Sequence, residues 1–189
     1  MEPGKRKIVI AVAVILVAAS LVIVAAFSAD GRTRSERLIL TSVDLTEIGA
    51  TQVWEPISTS SHPDFRSSGG SEAANSKIGL SHGNWLLGVE CLLIIYNSSS
   101  LASEHFHAKW SDTNWTGDDI GEALFVAGVT NMTNDSISFN RTFTAIVLEG
   151  YTITYFVFEQ IPHGGPRTIP LSTVESILGT QVNKVRLAE

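Results

Sequence analysis

WLLGVECLLIIY, residues Trp85 to Tyr96, is the stretch whose reading decides the fold. Its alternate positions Leu87, Val89, Cys91, Leu93 and Ile95 make one apolar face, and most of the opposite face is apolar too. A strand that is hydrophobic on both faces has to be covered on both, so this one belongs at the centre of a sheet. Cys91, the one cysteine of the chain, lies within it and has no partner for an internal disulfide. It reads as a small buried hydrophobe, because a reactive thiol needs a polar, electropositive setting.

Working outward on the C-terminal side, Ser99 or Ser100 opens a predicted helix in which Ala102, Phe106 and Trp110 recur at i, i+4 and i+8. After a turn over Asn114 to Asp119, a strand is predicted from Glu122 to Thr130. Two longer strands follow, Ser136 to Leu148 and Tyr151 to Glu159, joined tightly at Glu149-Gly150 and therefore antiparallel. The second alternates Tyr151, Ile153, Tyr155 and Val157 against Thr152 and Thr154. Past the turn-rich IPHGGPRTIP, Ser172-x-x-Glu175 reads as a capping box. The last helix it opens carries the stripe Leu171, Val174, Leu178, Val182 and Val185.

On the N-terminal side, Thr41 is placed to cap a short helix from Ser42 to Ile48, with Asp44 at its third position and Gly49 as the stop. A strand around Trp54 runs from Thr51 to Ile57 and is ended by Pro56. From Ser58 to Lys77 the chain is rich in Ser and Gly and poor in hydrophobic residues, the signature of a long loop. These readings make an α+β domain, an antiparallel β-sheet covered by two helices, over residues 38–189.

Ahead of it lies IVIAVAVILVAASLVIVAAF, from Ile8 to Phe27, with Ser20 as its one polar residue. At about 1.5 Å per helical residue this run spans roughly 30 Å, the hydrocarbon thickness of a bilayer. Backbone groups in lipid must bond within their own segment, so residues 8–28 are read as a transmembrane helix, residues 1–7 as a cytoplasmic tail and residues 29–37 as a polar stalk. Lys5, Arg6 and Lys7 favour a cytoplasmic N-terminus, while Arg32, Arg34 and Arg37 weigh on the other flank. Long C-terminal domains cross largely regardless of charge, which puts the domain outside. Ala26-Phe27-Ser28 before Ala29 could be cut by a signal peptidase, but the run exceeds the usual ~7–15 residues of a signal core, which favours a retained anchor.

Five of the eight asparagines begin an N-x-[ST] triplet: Asn97, Asn114, Asn131, Asn134 and Asn140. Chance would give about one or two, so the excess points to a glycosylated exterior. From Asp30 onward ten Lys and Arg stand against eighteen Asp and Glu, a net charge of −8. Nucleic acid and anionic lipid surfaces need a basic face and are excluded as partners.

The order of a short capped helix, a Trp-centred strand, a central strand ending in Tyr96, a helix with Ala102 and Phe106, a Gly117-Asp118 turn, the EGYTITYFVF strand and a C-terminal helix resembles small extracytoplasmic domains of PsbP-like fold. Such domains occur in membrane-anchored proteins and lipoproteins of prokaryotes. The resemblance implies a ligand-binding, sensor or assembly-accessory module and carries over no functional residue.

Three patterns invite chemistry. Gly79-Leu80-Ser81-His82-Gly83 matches G-x-S-x-G, and Ser81 with His82, His105, His107 or His163 would make a serine hydrolase. That motif needs a strand leading in and a helix leading out, whereas here a polar loop leads in and an apolar strand leads out. Asp112, Asn114, Thr116, Gly117 and Asp118 fit the first half of a calcium loop, but position twelve is Ala123 and Glu122 is one residue early. His105 and His107 lie two apart on a helix and point away from each other, so they do not share a metal. Trp54, Trp85, Phe106, Trp110, Tyr155 and Phe156 read most simply as core, with a shallow aromatic cleft as the alternative.

No cofactor is expected. The function expected is a non-enzymatic, single-pass, extracytoplasmic binding or interaction domain at the cell membrane, for a small ligand, an envelope polymer or another membrane protein. The alternatives are an accessory subunit of a membrane complex and the Ser81 hydrolase.

Overall fold

The computed structural model describes residues 32–48, 50–58, 69–82, 85–110, 115, 119–161 and 164–188. In chain order the elements are α1 (Arg34–Leu38), a 3₁₀ helix (Val43–Ile48), β1 (Ala50–Ser58), β2 (Gly70–His82), β3 (Trp85–Tyr96), α2 (Ser99–Lys109), β4 (Ala123–Met132), β5 (Ser136–Glu149), β6 (Thr152–Ile161), β7 (Arg167–Pro170) and α3 (Leu171–Arg186). The strands form one antiparallel sheet in the order β1-β2-β3-β6-β5-β4, and β7 pairs with the first residues of β5.

Strand β3 occupies the interior position its sequence demands, with β2 on one side and β6 on the other. Leu87, Val89, Cys91, Leu93 and Ile95 are buried in the main core beneath α3, whose Leu171, Val174, Ile177, Leu178, Val182 and Val185 close that face. On the opposite face α2 packs Ala102 and Phe106 over Ile94, Tyr96 and Ile153. One helix therefore packs on each face, and the two-sided hydrophobicity of β3 is accounted for where they lie.

Several expectations are corrected. The long loop read over Ser58 to Lys77 contains most of β2, which pairs with β3 from Gly70 opposite Tyr96 to His82 opposite Trp85. Its inward residues Ala74, Ser76, Ile78 and Leu80 are buried. Half of them are too small or polar to register as a hydrophobic alternation, and the ladder along β3 supplies the strand conformation that propensity does not. Strand β1 runs past Pro56 to Ser58, with a register shift between Trp54 and Ile57. It lies at the sheet edge, where the missing proline N–H costs no ladder bond.

In β6 the principal core face is the one read as polar. Thr152, Thr154, Phe156, Phe158 and Gln160 are all buried, and Phe156 and Phe158 belong to the main core. Register decides this, since Phe156 pairs with Cys91 of β3 and Ala145 of β5. The capping box at Ser172 is not formed: Pro170 holds the N-cap position without a side-chain bond, and Leu171 N donates to Asp135 O at 2.9 Å. Because β7 feeds directly into α3, the helix starts before Ser172.

Residues 34–37, assigned to a stalk by sequence, are in α1, and the unit they belong to is Thr33–Glu189. Here a capping box does form: Thr33 Oγ1 accepts from Glu36 N at 3.3 Å and Glu36 Oε2 accepts from Thr33 N at 2.7 Å. Ser35 and Leu38 are buried. The helix expected from Ser42 is a 3₁₀ turn instead. Asp44 Oδ2 accepts from Thr41 N, Thr41 Oγ1 and Lys184 Nζ, each at 2.7 Å. Burial opposes the charged form of Asp44, but these hydrogen bonds outweigh it and hold the carboxyl below its ordinary range. Among the described residues no helix is long and apolar enough to cross a membrane. The run over residues 8–28 lies outside them.

Candidate functional site

Helix α2 covers only one end of the sheet's outer face. There Trp110 packs edge-on against Tyr155 at 5.5 Å and Tyr96 stands 5.5 Å from the His105 ring. Burial, reinforced by neighbouring Tyr96, pushes the Tyr155 hydroxyl well above its ordinary pKa, so Tyr155 is a neutral packing group. Burial, with Lys109 nearby, lowers the pKa of His105. The sequence reading of these aromatic residues as core holds for Phe106 and Phe156, which are buried.

Toward the β2–β3 hairpin the same face is left open as a trough of about 250 Å³. Cross-strand pairing builds it: Gly79 lies opposite Gly88, Lys77 opposite Glu90, Gly88 opposite Glu159 and Leu86 opposite Ile161. Two facing glycines remove the side chains that would fill the floor. Leu86, Val157 and Ile161 supply apolar wall, and Ile161 is 43% exposed. Lys77 Nζ and Glu90 Oε2 form an ion pair at 3.2 Å on the rim. A Cβ at Gly88 would sit 3.4 Å from Ile161 Cδ1, so any larger side chain there occupies the trough. The volume suits a small apolar group or the end of an aliphatic chain rather than a drug-sized ligand.

A prediction follows from this geometry. The neutral apolar probe N-phenyl-1-naphthylamine should bind saturably, with fluorescence enhancement, and Gly88→Leu should weaken that binding at least about tenfold while far-UV circular dichroism is unchanged. Equal binding by both proteins would show that the trough is not the site.

A second depression opens at the opposite end of the sheet, where Arg34 lies 4.6 Å above the Tyr151 ring and donates to its hydroxyl. Asn97, Ser98 and Glu122 border it, and it is polar and shallow.

Among the described residues, those singled out by sequence do not converge. Ser81 is exposed in β2, opposite Leu86, with a strand leading in and another leading out, so the strand–turn–helix of a nucleophile elbow is not formed. His105 packs against Tyr96, ten residues along β3 from Leu86, about 33 Å at the usual strand rise. His107 is exposed on the same helix, beside Phe106. The side chain of His82 and all of His163 lie outside the described residues, as do Asp112, Asn114, Thr116, Gly117 and Asp118 of the calcium reading. Among the described residues no group of three or more His, Cys, Asp or Glu could hold a metal.

Four of the five sequon asparagines are described, and Asn97, Asn131, Asn134 and Asn140 are all exposed. The last three gather where β4 turns into β5, and Asn97 sits at the other end of the sheet, ahead of α2. Cys91 is fully buried, and that burial pushes its thiol up to about 12. The expectation of an inert core cysteine fits this setting.

Sequence reasoning missed the trough. The one available signal was Gly88, an isolated glycine within a strongly apolar strand, which marks a place where something approaches the backbone or a side chain must be absent.

No family model matches the sequence, and no curated protein matches it. Among solved structures, the chain is similar to the extracellular domain of PknH from Mycobacterium tuberculosis, at 13% identity and a TM-score of 0.50. The match covers 82% of this chain and 97% of that one. At this identity the likeness concerns the fold alone, and the comparisons give no link to PsbP-like domains.

Proposed function

We propose that this protein is a single-pass, membrane-anchored binding domain that faces away from the cytoplasm and works without catalysing a reaction. The observation that carries the reading is the glycine-floored trough on the sheet face that α2 leaves uncovered, which presents apolar surface and ion-paired charge. Such a surface holds a small apolar ligand, or the apolar part of an envelope polymer or of a membrane-protein partner.

The outward orientation rests on the apolar run over residues 8–28, the excess of sequons and their exposure in the fold. The structural neighbour is itself an extracellular domain. The element order that resembles PsbP-like domains of membrane-anchored proteins points the same way. Glycosylation of Asn97, Asn131, Asn134 or Asn140 belongs to this proposal.

The test is topological. Protease added to intact cells expressing the full chain should digest the domain, and alkaline carbonate should leave the full-length polypeptide in the membrane fraction. Release of the full-length chain by carbonate, or a domain that survives protease until the cells are lysed, would refute the proposal.

A further inference from the structure

We infer that the segment Thr33–Ile48 is a releasable clasp, which opens from the sheet-and-helix body as a unit while the rest of the domain stays folded. Among the described residues its backbone–backbone hydrogen bonds are local: Arg37 N to Thr33 O, Ile39 N to Ser35 O, Asp44 N to Thr41 O and Leu45 N to Ser42 O. Where the strands are joined by ladders, this segment is tied to the body by side chains. Ser76 Oγ donates to Leu40 O at 2.6 Å, Gln181 Nε2 to Leu38 O at 3.0 Å and Lys184 Nζ to Ile39 O at 2.9 Å. Glu72 Oε2 accepts from Ser35 N at 3.0 Å.

Lys184 is the centre of this attachment, because the same ammonium reaches Asp44 Oδ2 at 2.7 Å. One side chain on α3 thus bridges the middle and the far end of the clasp. The ion pair is about three-quarters hidden from solvent, its side chains being 25% and 23% exposed. Beneath the polar ties, Leu38, Ile39, Leu40 and Leu45 are buried in the main core. A segment held by a few bonds from a few side chains opens at lower free energy than a strand held on both edges. Residues 1–32 join the domain through this segment, so tension or displacement along the preceding chain reaches the clasp before any strand.

The fold carries its own reporter. Cys91, the one cysteine of the chain, is fully buried in the same core cluster as Leu38, Ile39 and Leu40, with the Leu40 backbone close to its thiol, so it lies under the clasp. In the closed state the thiol is inaccessible, and a disulfide reagent reaches it only through opening.

The experiment measures the labelling rate of Cys91 by such a reagent in the full chain, held in detergent, as a function of urea. Global unfolding is followed separately by far-UV circular dichroism. In the wild type, labelling in low urea should exceed the rate that global unfolding allows and should depend only weakly on urea. Lys184→Met, which keeps the stem but removes the ammonium, should accelerate labelling in the absence of urea by about 10–100-fold. Ile137→Val, in buried β5 away from the clasp, should lower the unfolding midpoint and leave that rate unchanged.

Should Lys184→Met fail to fold, Asp44→Asn weakens the same pair and replaces it, with the same acceleration expected. Labelling that follows global stability in every variant would overturn the inference. So would a Lys184→Met rate equal to that of the wild type, or the failure of both clasp variants to fold, since the segment would then be inseparable from the global structure.

Discussion

Phe158→Ala is expected to destabilise the domain by about 3–5 kcal/mol, the range for truncating a fully buried phenylalanine in a core that cannot collapse around the gap. Phe158 is wholly buried and lies opposite Phe143 across the β5–β6 ladder, with the two rings stacked at 4.3 Å and 3°. Phe143 in turn meets Phe139 edge-on at 4.9 Å, and Phe156 stands 6.1 Å from Phe158. Strands hold all four rings, and strands bound on both sides cannot move inward to fill a void. For a domain of ordinary stability, about 5–15 kcal/mol, the loss is roughly a fifth or more of the total. Equilibrium urea unfolding would read it as a lower midpoint with an unchanged slope. A loss below about 1 kcal/mol would mean that the stacked phenylalanines are not the tightly packed centre of the core.

Gly121→Ala is expected to cost roughly 2–4 kcal/mol, from two sources that add. Gly121 has φ +71°, a conformation that a Cβ disfavours by about 1–2 kcal/mol. The added Cβ would also lie 2.6 Å from both Leu148 O and Val147 Cγ1. The carbonyl is backbone, already fixed by accepting from Glu122 N at 2.8 Å, so it cannot yield as a flexible side chain would. Gly69 is the matched control: its φ is +85°, but no atom lies within 4 Å of its Cβ position. Gly69→Ala should therefore cost only the conformational part, about 1–2 kcal/mol. Thermal unfolding of the two variants separates the terms, and equal losses would show that the contact with β5 is relaxed without cost.

Much of the fold was legible because it depends on patterns carried by single segments. The double-sided hydrophobicity of Trp85–Tyr96 is a property of twelve consecutive residues, and it demands an interior strand whatever the neighbours are. The stripe on Leu171–Arg186 demands a sheet face to cover, and Ala102 with Phe106 demands the other. Tight linkage at Glu149-Gly150 required β5 and β6 to be antiparallel. The net charge and the apolar run near the start are likewise read without reference to the fold.

What stayed hidden was pairing. Strand β2 has the composition of a loop, and it is a strand because the free edge of β3 offers a full row of backbone partners. The register between β3, β5 and β6 set Phe156 and Phe158, with two threonines, into the main core, whereas alternation alone favoured the other face. The trough draws on β2, β3 and β6: its floor needs the hairpin register that sets Gly79 opposite Gly88, and its wall needs β6, about seventy residues further on, alongside. The clasp is similar, since Lys184 and Ile39 are far apart in sequence and meet only once α3 has closed over the sheet. By itself the sequence determined which segments must be buried and on how many sides, because hydrophobic periodicity is a local quantity. Tertiary structure alone decided which face met which and where a surface was left open, because both depend on register between strands distant in the chain.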